Sequence, residues 1–217
     1  MLRLLVLLIG LLGLLGMHDG AIAATRDLDC LIEPFVVVTV SSPDVGLLEK
    51  VAVDRGDIVA EGQVIAVLDS HVETATSAVE HARARLTNDR LADLELRKST
   101  AELARRTIKS PIPGVVTERS LSTGEFAKQA PILKIAQLDP LRVEAFAPVA
   151  ILGMIKVGDE AQVIPQDPVN GSYAAKVTVV DKVIDTASGT FGIRLELPNP
   201  EFQLPAGLKC TLQFAGE

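Results

Sequence analysis

The sequence predicts a mainly β protein with a helical hairpin: a sandwich in two halves, split by a short antiparallel α-hairpin and followed by a small antiparallel β-barrel. Three observations carry that expectation. The stretch SSPDVGLLEKVAVDRGDIVAEGQVIAVLD, Ser41 to Asp69, is echoed by KSPIPGVVTERSLSTGEFAKQAPILKIAQLD, Lys109 to Asp139. Between the copies, His71 to Arg106 contains neither Gly nor Pro. Beyond Asp139-Pro140, alternating apolar runs are punctuated by Gly and Pro at strand-and-turn spacing.

The first residues are set aside as an export signal. MLRLLVLLIGLLGLLGMHDGAIAA has a basic start at Arg3, an apolar run from Leu4 to Leu15, and small residues at Ala21 and Ala23. This is the layout of a signal peptide over residues 1–23, with Ala21-Ile22-Ala23 as the cleavage box and Ala24 as the mature start. An uncleaved signal anchor is the alternative, but the run is shorter than the roughly 20 residues that span hydrocarbon. Asp27-Leu28-Asp29 before Cys30 is not a lipobox. The expected location is the periplasm.

A net charge of −7 argues against a nucleic-acid surface. Six Phe, one Tyr and no Trp leave few aromatic platforms for sugars or bases. Two cysteines, Cys30 and Cys210, stand near opposite ends of a chain bound for an oxidising compartment. They read first as a disulfide and second as two unrelated buried thiols.

Within the repeat the punctuation coincides. Ser42-Pro43 falls on Ser110-Pro111, Gly46 on Gly114, and Gly56-Asp57 on Gly124-Glu125. Gly46, Gly56, Gly62, Gly114 and Gly124 are expected at tight turns, where glycine adopts positive φ without cost. Short runs such as Val51-Ala52-Val53 and Val64 to Leu68 have strand length. Each copy alone would leave an apolar face and open edges unprotected. Two interlocked copies, 31–70 and 107–139, would solve both problems.

The segment 71–106 is rich in helix-forming Ala, Leu, Glu and Arg. Val72, Ala75, Val79, Ala82 and Leu86 recur at helical steps, as do Leu91, Leu94, Ala101, Ala104 and Ile108. The two stripes are expected to pair with each other. Thr87-Asn88-Asp89 is the only cluster of turn formers, so the arms are about 16 residues, or roughly 25 Å, long. The alternative is a pair of helices folded back over the sheet. Residues 140–217 then read as a barrel. LRVEAFAP is a strand, VAILGMIKVGDEAQVIP a short apolar helix, a turn and a strand, and two further strands are joined around Asp185 to Thr190. A last strand follows the Gly207 turn.

The pattern V-x-x-G-D-x-V-x-x-G-Q, Val53 to Gln63, resembles the biotinyl-lipoyl domains. The second copy, with TIKSPIPGVV from Thr107 to Val116, is similar to the closing half of that domain in bacterial periplasmic adaptors. These are the membrane fusion proteins of efflux systems, of the resistance–nodulation–division or HlyD-like kind. VIDTASGTFGIRLEL and LPAGLKC resemble the β-barrel of the same adaptors. The resemblance implies a lipoyl-like barrel-sandwich hybrid and a barrel against which residues 24–35 pack. It also implies that both termini return to one region, which would make Cys30 and Cys210 neighbours.

For function the resemblance implies an adaptor linking an inner-membrane transporter to an outer partner by binding, with a homo-oligomeric ring in the assembly. The hairpin tip, Leu86, Thr87, Asn88, Asp89, Arg90 and Leu91, would be the contact with the second partner. Many members carry Arg, Leu and Ser at seven-residue steps near the tip. Here Arg83, Arg85 and Arg90 are followed seven residues on by Arg90, Ala92 and Arg97, which puts docking to an outer-membrane channel in doubt. A scaffold or regulatory protein of the same fold is the second reading.

Other chemistry finds no footing in the residues. A carrier lysine would occupy the place taken by the hairpin, and no Met-Lys-Met surrounds Lys98 or Lys109. His71 and His81 are ten residues apart on one predicted helix, about 15 Å, too far to share a metal. Met154 is the one Met beyond the signal, so this chain is not expected to handle soft metals. No nucleophile–base pair is evident. Neither a cofactor nor catalysis is expected.

Overall fold

The computed structural model describes residues 26–87, 89–128 and 130–214. The expected signal peptide and Asn88 lie outside the described residues. Two long antiparallel strands organise the rest. β1 (Arg26–Ser41) and β8 (Pro131–Pro148) pair along most of their length, from Cys30↔Ala145 to Ser41↔Pro131, with a register shift between Pro34 and Val36.

One end of this ribbon belongs to the barrel. There β9 (Glu160–Pro165), β10 (Tyr173–Val180), β11 (Thr190–Leu197) and β12 (Lys209–Phe214) complete the order β1-β12-β9-β10-β11-β8. The pairing of β8 with β1 closes it, so the six strands leave no open edge. Strand alternation sends Ile32, Leu141, Val143, Val163, Leu195 and Leu212 into one continuous core. The helix expected after Pro148 is reduced to a single 3₁₀ turn, Val149–Ile151. Gly153 and Gly158, both at positive φ, break the segment before an α-helix can propagate.

The other end of the ribbon belongs to the sandwich. β6 (Gly114–Arg119) adds to β8, and β3 (Ile58–Val59) adds to β6. A facing sheet has the order β5 (Thr107–Lys109), β4 (Val64–Leu68), β2 (Gly46–Val51), β7 (Phe126–Ala127). Between them lie Leu48, Ile65, Leu68, Ile108, Val116, Ile132 and Ile135. The halves exchange strands by symmetry. Gly46↔Ala127 and Leu47↔Phe126 in one sheet mirror Val59↔Gly114 and Ile58↔Val115 in the other. Leu48 N donates to Glu125 O and Gly124 N to Leu48 O. Their counterparts run from Val116 N to Asp57 O and from Gly56 N to Val116 O. Even the buried serines correspond, since Ser42 Oγ bonds Asp44 O and Ser110 Oγ bonds Ile112 O. The sequence repeat is thus a local two-fold axis.

The turn glycines divide into two kinds. Gly56, Gly62 and Gly124 sit at φ of 94°, 77° and 87°, as tight turns require. Gly46 does not, and the expectation of a turn there is corrected: it opens β2, where a Cβ would lie 2.9 Å from Arg106 Nη1. Gly114 likewise opens β6, and a Cβ there would lie 2.2 Å from Ala136 O. At Gly114 the neighbour is backbone, so the missing Cβ is what permits the approach, whereas at Gly46 it is the end of a side chain that can shift.

The antiparallel hairpin is formed by α1 (His71–Leu86) and α2 (Arg90–Ala104), which pack on each other. Its seam is a second correction. Val72, Ala75, Val79, Ala82, Leu86, Leu91, Leu94, Ala101 and Ala104 are all exposed, and Ile108 belongs to the sandwich core. The helices meet instead through Ser77, Glu80 and Ala84 on α1 and Ala92, Glu95, Leu96 and Ser99 on α2. Arg83 Nη1 bridges the pair to Glu95 Oε2 at 2.8 Å. Small residues and a cross-helix ion pair permit close contact, which leaves the apolar stripes pointing outward.

Candidate partner-binding surfaces

The hairpin is held at its base and free along its arms. Asp69 N donates to Leu47 O, and Arg105 reaches Pro43 O at 3.2 Å and Asp44 Oδ1 at 2.6 Å. Arg106 spans Glu73 and Val45 O, tying the end of α2 to the start of α1. These anchors lie just beyond the Ser41↔Pro131 pair, at the end of the ribbon opposite the barrel. At the tip, Thr87 Oγ1 donates to Arg83 O, and Asp89 caps α2 by accepting from Leu91 N at 3.1 Å. Leu86 ends α1 at 86% exposure, with Arg90 and Leu91 exposed at the start of α2.

Val72, Val79 and Leu86 stand at seven-residue steps on the outer face of α1, the spacing by which one helix lays itself along another. This outer stripe, more than the tip, is the apolar surface of the hairpin. Of the tip residues singled out from sequence, Leu86, Thr87, Asp89, Arg90 and Leu91 lie at the ends of α1 and α2, but Thr87 and Asp89 spend their polar groups on the helix ends.

Cys30 and Cys210 are a register pair between β1 and β12, with Cα atoms 4.8 Å apart and their sulfurs joined. Both side chains are buried in the barrel. Asn199, which sequence reasoning missed, is nearly as enclosed. Its Nδ2 donates to Leu138 O and Leu204 O, its Oδ1 accepts from Leu204 N, and its backbone N donates to Asp139 Oδ1. It fastens the β11–β12 connection to the joint between barrel and sandwich. An asparagine beside two prolines in Leu197-Pro198-Asn199-Pro200 reads from sequence only as a loop.

Two surface carboxylates are held below their ordinary values. Lys134 Nζ, 2.7 Å from Glu118 Oε2, lowers Glu118. The backbone amides of Ser188 and Ala187 lower Asp185, whose Oδ1 accepts from both. Among the described residues no group of three or more His, Cys, Asp and Glu is placed to hold a metal. No described helix is long and apolar enough to cross a membrane.

Two family models match this architecture module by module. Residues 36–137 match the CzcB-like barrel-sandwich hybrid domain, and residues 141–217 match the CusB-like beta-barrel domain. The chain belongs to the membrane fusion protein family. The cation efflux system protein CusB of Escherichia coli (strain K12) is 32% identical over 135 residues, 61% of this membrane fusion protein. The match takes in 33% of CusB, so the chain spans about a third of that relative's length. Among solved structures, ZneB from Cupriavidus metallidurans aligns with 89% of this chain and 98% of its own, at TM-score 0.58 and 22% identity. A putative efflux transporter from Bacteroides eggerthii aligns at TM-score 0.72 and 15% identity, over 88% of this chain and 69% of its own. These two likenesses concern the fold.

Proposed function

We propose that this membrane fusion protein is the periplasmic adaptor subunit of an efflux system, joining an inner-membrane transporter to a second partner by binding rather than by chemistry. The observation that carries the reading is the placement of the hairpin. It leaves the sandwich at the end opposite the barrel, held only at its base and with its apolar stripe outward. One chain thereby offers separate surfaces far apart. The barrel would meet a transporter of the resistance–nodulation–division type, the sandwiches would stack sideways into a ring, and the hairpin would reach the other partner. CusB is named for cation efflux, so a metal cation is the first cargo to test, as the transporter's substrate.

The test is affinity recovery of the tagged protein from chemically crosslinked envelopes. An inner-membrane transporter should be recovered with it, and replacing Val79 with Asp should leave that partner while losing the second. Recovery of soluble envelope proteins without any transporter would instead support a scaffold role and overturn the adaptor reading.

A further inference from the structure

The loop between β9 and β10 brings together two groups that can react with each other. It runs from Gln166 to Ser172 and contains Asn170-Gly171, both exposed. Among the described residues, neither the Asn170 side-chain amide nor the Gly171 backbone N–H has a hydrogen-bond partner. Gly171 sits at φ 125°, and without a side chain it leaves the approach to its own nitrogen open.

The flanks of the loop are held. Val169 and Tyr173 pack against the barrel core, and Ser172 Oγ lies 2.7 Å from Gln162 Oε1. Tyr173 donates its hydroxyl to Asn170 O at 3.1 Å. The pair is thereby kept at the surface, outside any strand ladder or helix cap that would restrain the reacting amide.

Asn199 supplies the contrast within the same chain. It is 4% exposed, and its side chain is committed to Leu138 and Leu204. The residue after it is Pro200, whose nitrogen carries no hydrogen to lose. One asparagine is unengaged in front of a free N–H, and the other is locked in front of none.

We propose that Asn170 is a site of self-modification, converted without an enzyme to aspartyl forms. Gly171 N attacks Asn170 Cγ and forms a new C–N bond as the bond from Cγ to the side-chain nitrogen breaks. The Gly171 amide proton passes through water to that nitrogen, which leaves as ammonia. A second water then opens the cyclic imide. Opening at Cγ leaves an ordinary aspartate. Opening at the backbone carbonyl routes the chain through Cγ and frees the former backbone carbonyl as a carboxylate. The oxygen that accepts from Tyr173 belongs to that group, so the second product sets an ionised acceptor at the phenol. Tyr173 lines a cavity with Pro198, Asn199 and Leu204, so the new charge arrives beside the joint between barrel and sandwich. This goes beyond the adaptor reading and does not depend on it.

The test incubates the full chain at mildly alkaline pH, folded and in urea, and follows its peptides by mass spectrometry. In the folded protein the peptide holding Asn170 should gain the mass of an amide-to-acid exchange. Its rate should lie within an order of magnitude of the rate in urea, while Asn199 stays an amide. The chain has one Tyr and no Trp, so its intrinsic emission reports on Tyr173. That emission should fall as the β-linked product accumulates, because an ionised acceptor quenches the phenol. Asn170→Gln, whose longer side chain closes a ring far more slowly, should lose both changes. An intact Asn170 in the folded protein, over a time in which urea converts it, would overturn the proposal. Unchanged emission from converted, folded protein would overturn the link to Tyr173. Neither result would bear on adaptor function, which the envelope recovery tests separately.

Discussion

At Gly114 the interlocking of the two halves comes down to one missing atom. Its backbone approaches Ala136 so closely that Val in its place must displace β6 from β8. Gly114→Val should cost at least ~2 kcal/mol. Because β6 also carries β3, hydrogen-exchange protection should fall across residues 42–69 as well as beside the substitution. Full protection of the first copy would refute the interlock. Asp185 offers a different test. Its pKa is lowered from the ordinary 3.8 by the Ser188 and Ala187 amides, so the stability it adds is complete above that value. It is lost as pH falls through the lower folded value. Asp185→Asn removes this titration, so the gap between the thermal midpoints of the two proteins should narrow as pH drops below 3.8.

The hairpin shows what periodicity reveals and what it hides. Its existence, turn and length were legible, because helix formers without Gly or Pro leave few alternatives. Its seam was not. The strongest apolar period marks the outer face, and the contact between α1 and α2 is built from Ser77, Ala84, Ala92 and Ser99, which carry little hydrophobic signal. Val79→Glu should therefore change stability by less than about 0.5 kcal/mol. Ser99→Leu, on the buried face, should cost about 1–3 kcal/mol. Comparable losses from both would restore the apolar seam. Joining Ser70 to Thr107 through a short Gly-containing turn should leave a folded protein whose urea midpoint is nearly unchanged. Collapse on excision would mean that the helices cover the body.

Across the whole molecule, the sandwich was readable because it is written twice, and its symmetric hydrogen bonds fall on symmetric residues. The barrel was readable as strands, but its closure was not, since the pairing of β1 with both β8 and β12 joins residues more than a hundred apart. Asn199 was invisible for a related reason: beside its local bonds to Leu204, it reaches Leu138 and Asp139 some sixty residues away, which a loop-like Pro-Asn-Pro run does not announce. The Cys30–Cys210 link spans 180 residues, for which chain entropy gives a nominal stabilisation of about 5 kcal/mol, an upper figure. Thiol labelling of the denatured, unreduced protein should find no reactive thiol. Two per chain would show the pair unlinked.

The β1–β8 ribbon has a mechanical meaning. Because the same two strands belong to the barrel at one end and to the sandwich at the other, no slack tether separates the modules. Paired backbone therefore runs from the barrel to the base of the hairpin, interrupted by register irregularities between Pro34 and Val36 and between Val40 and Ser41. Such a ribbon would act as a crank, turning a small rotation of the barrel into a longer sweep at Leu86.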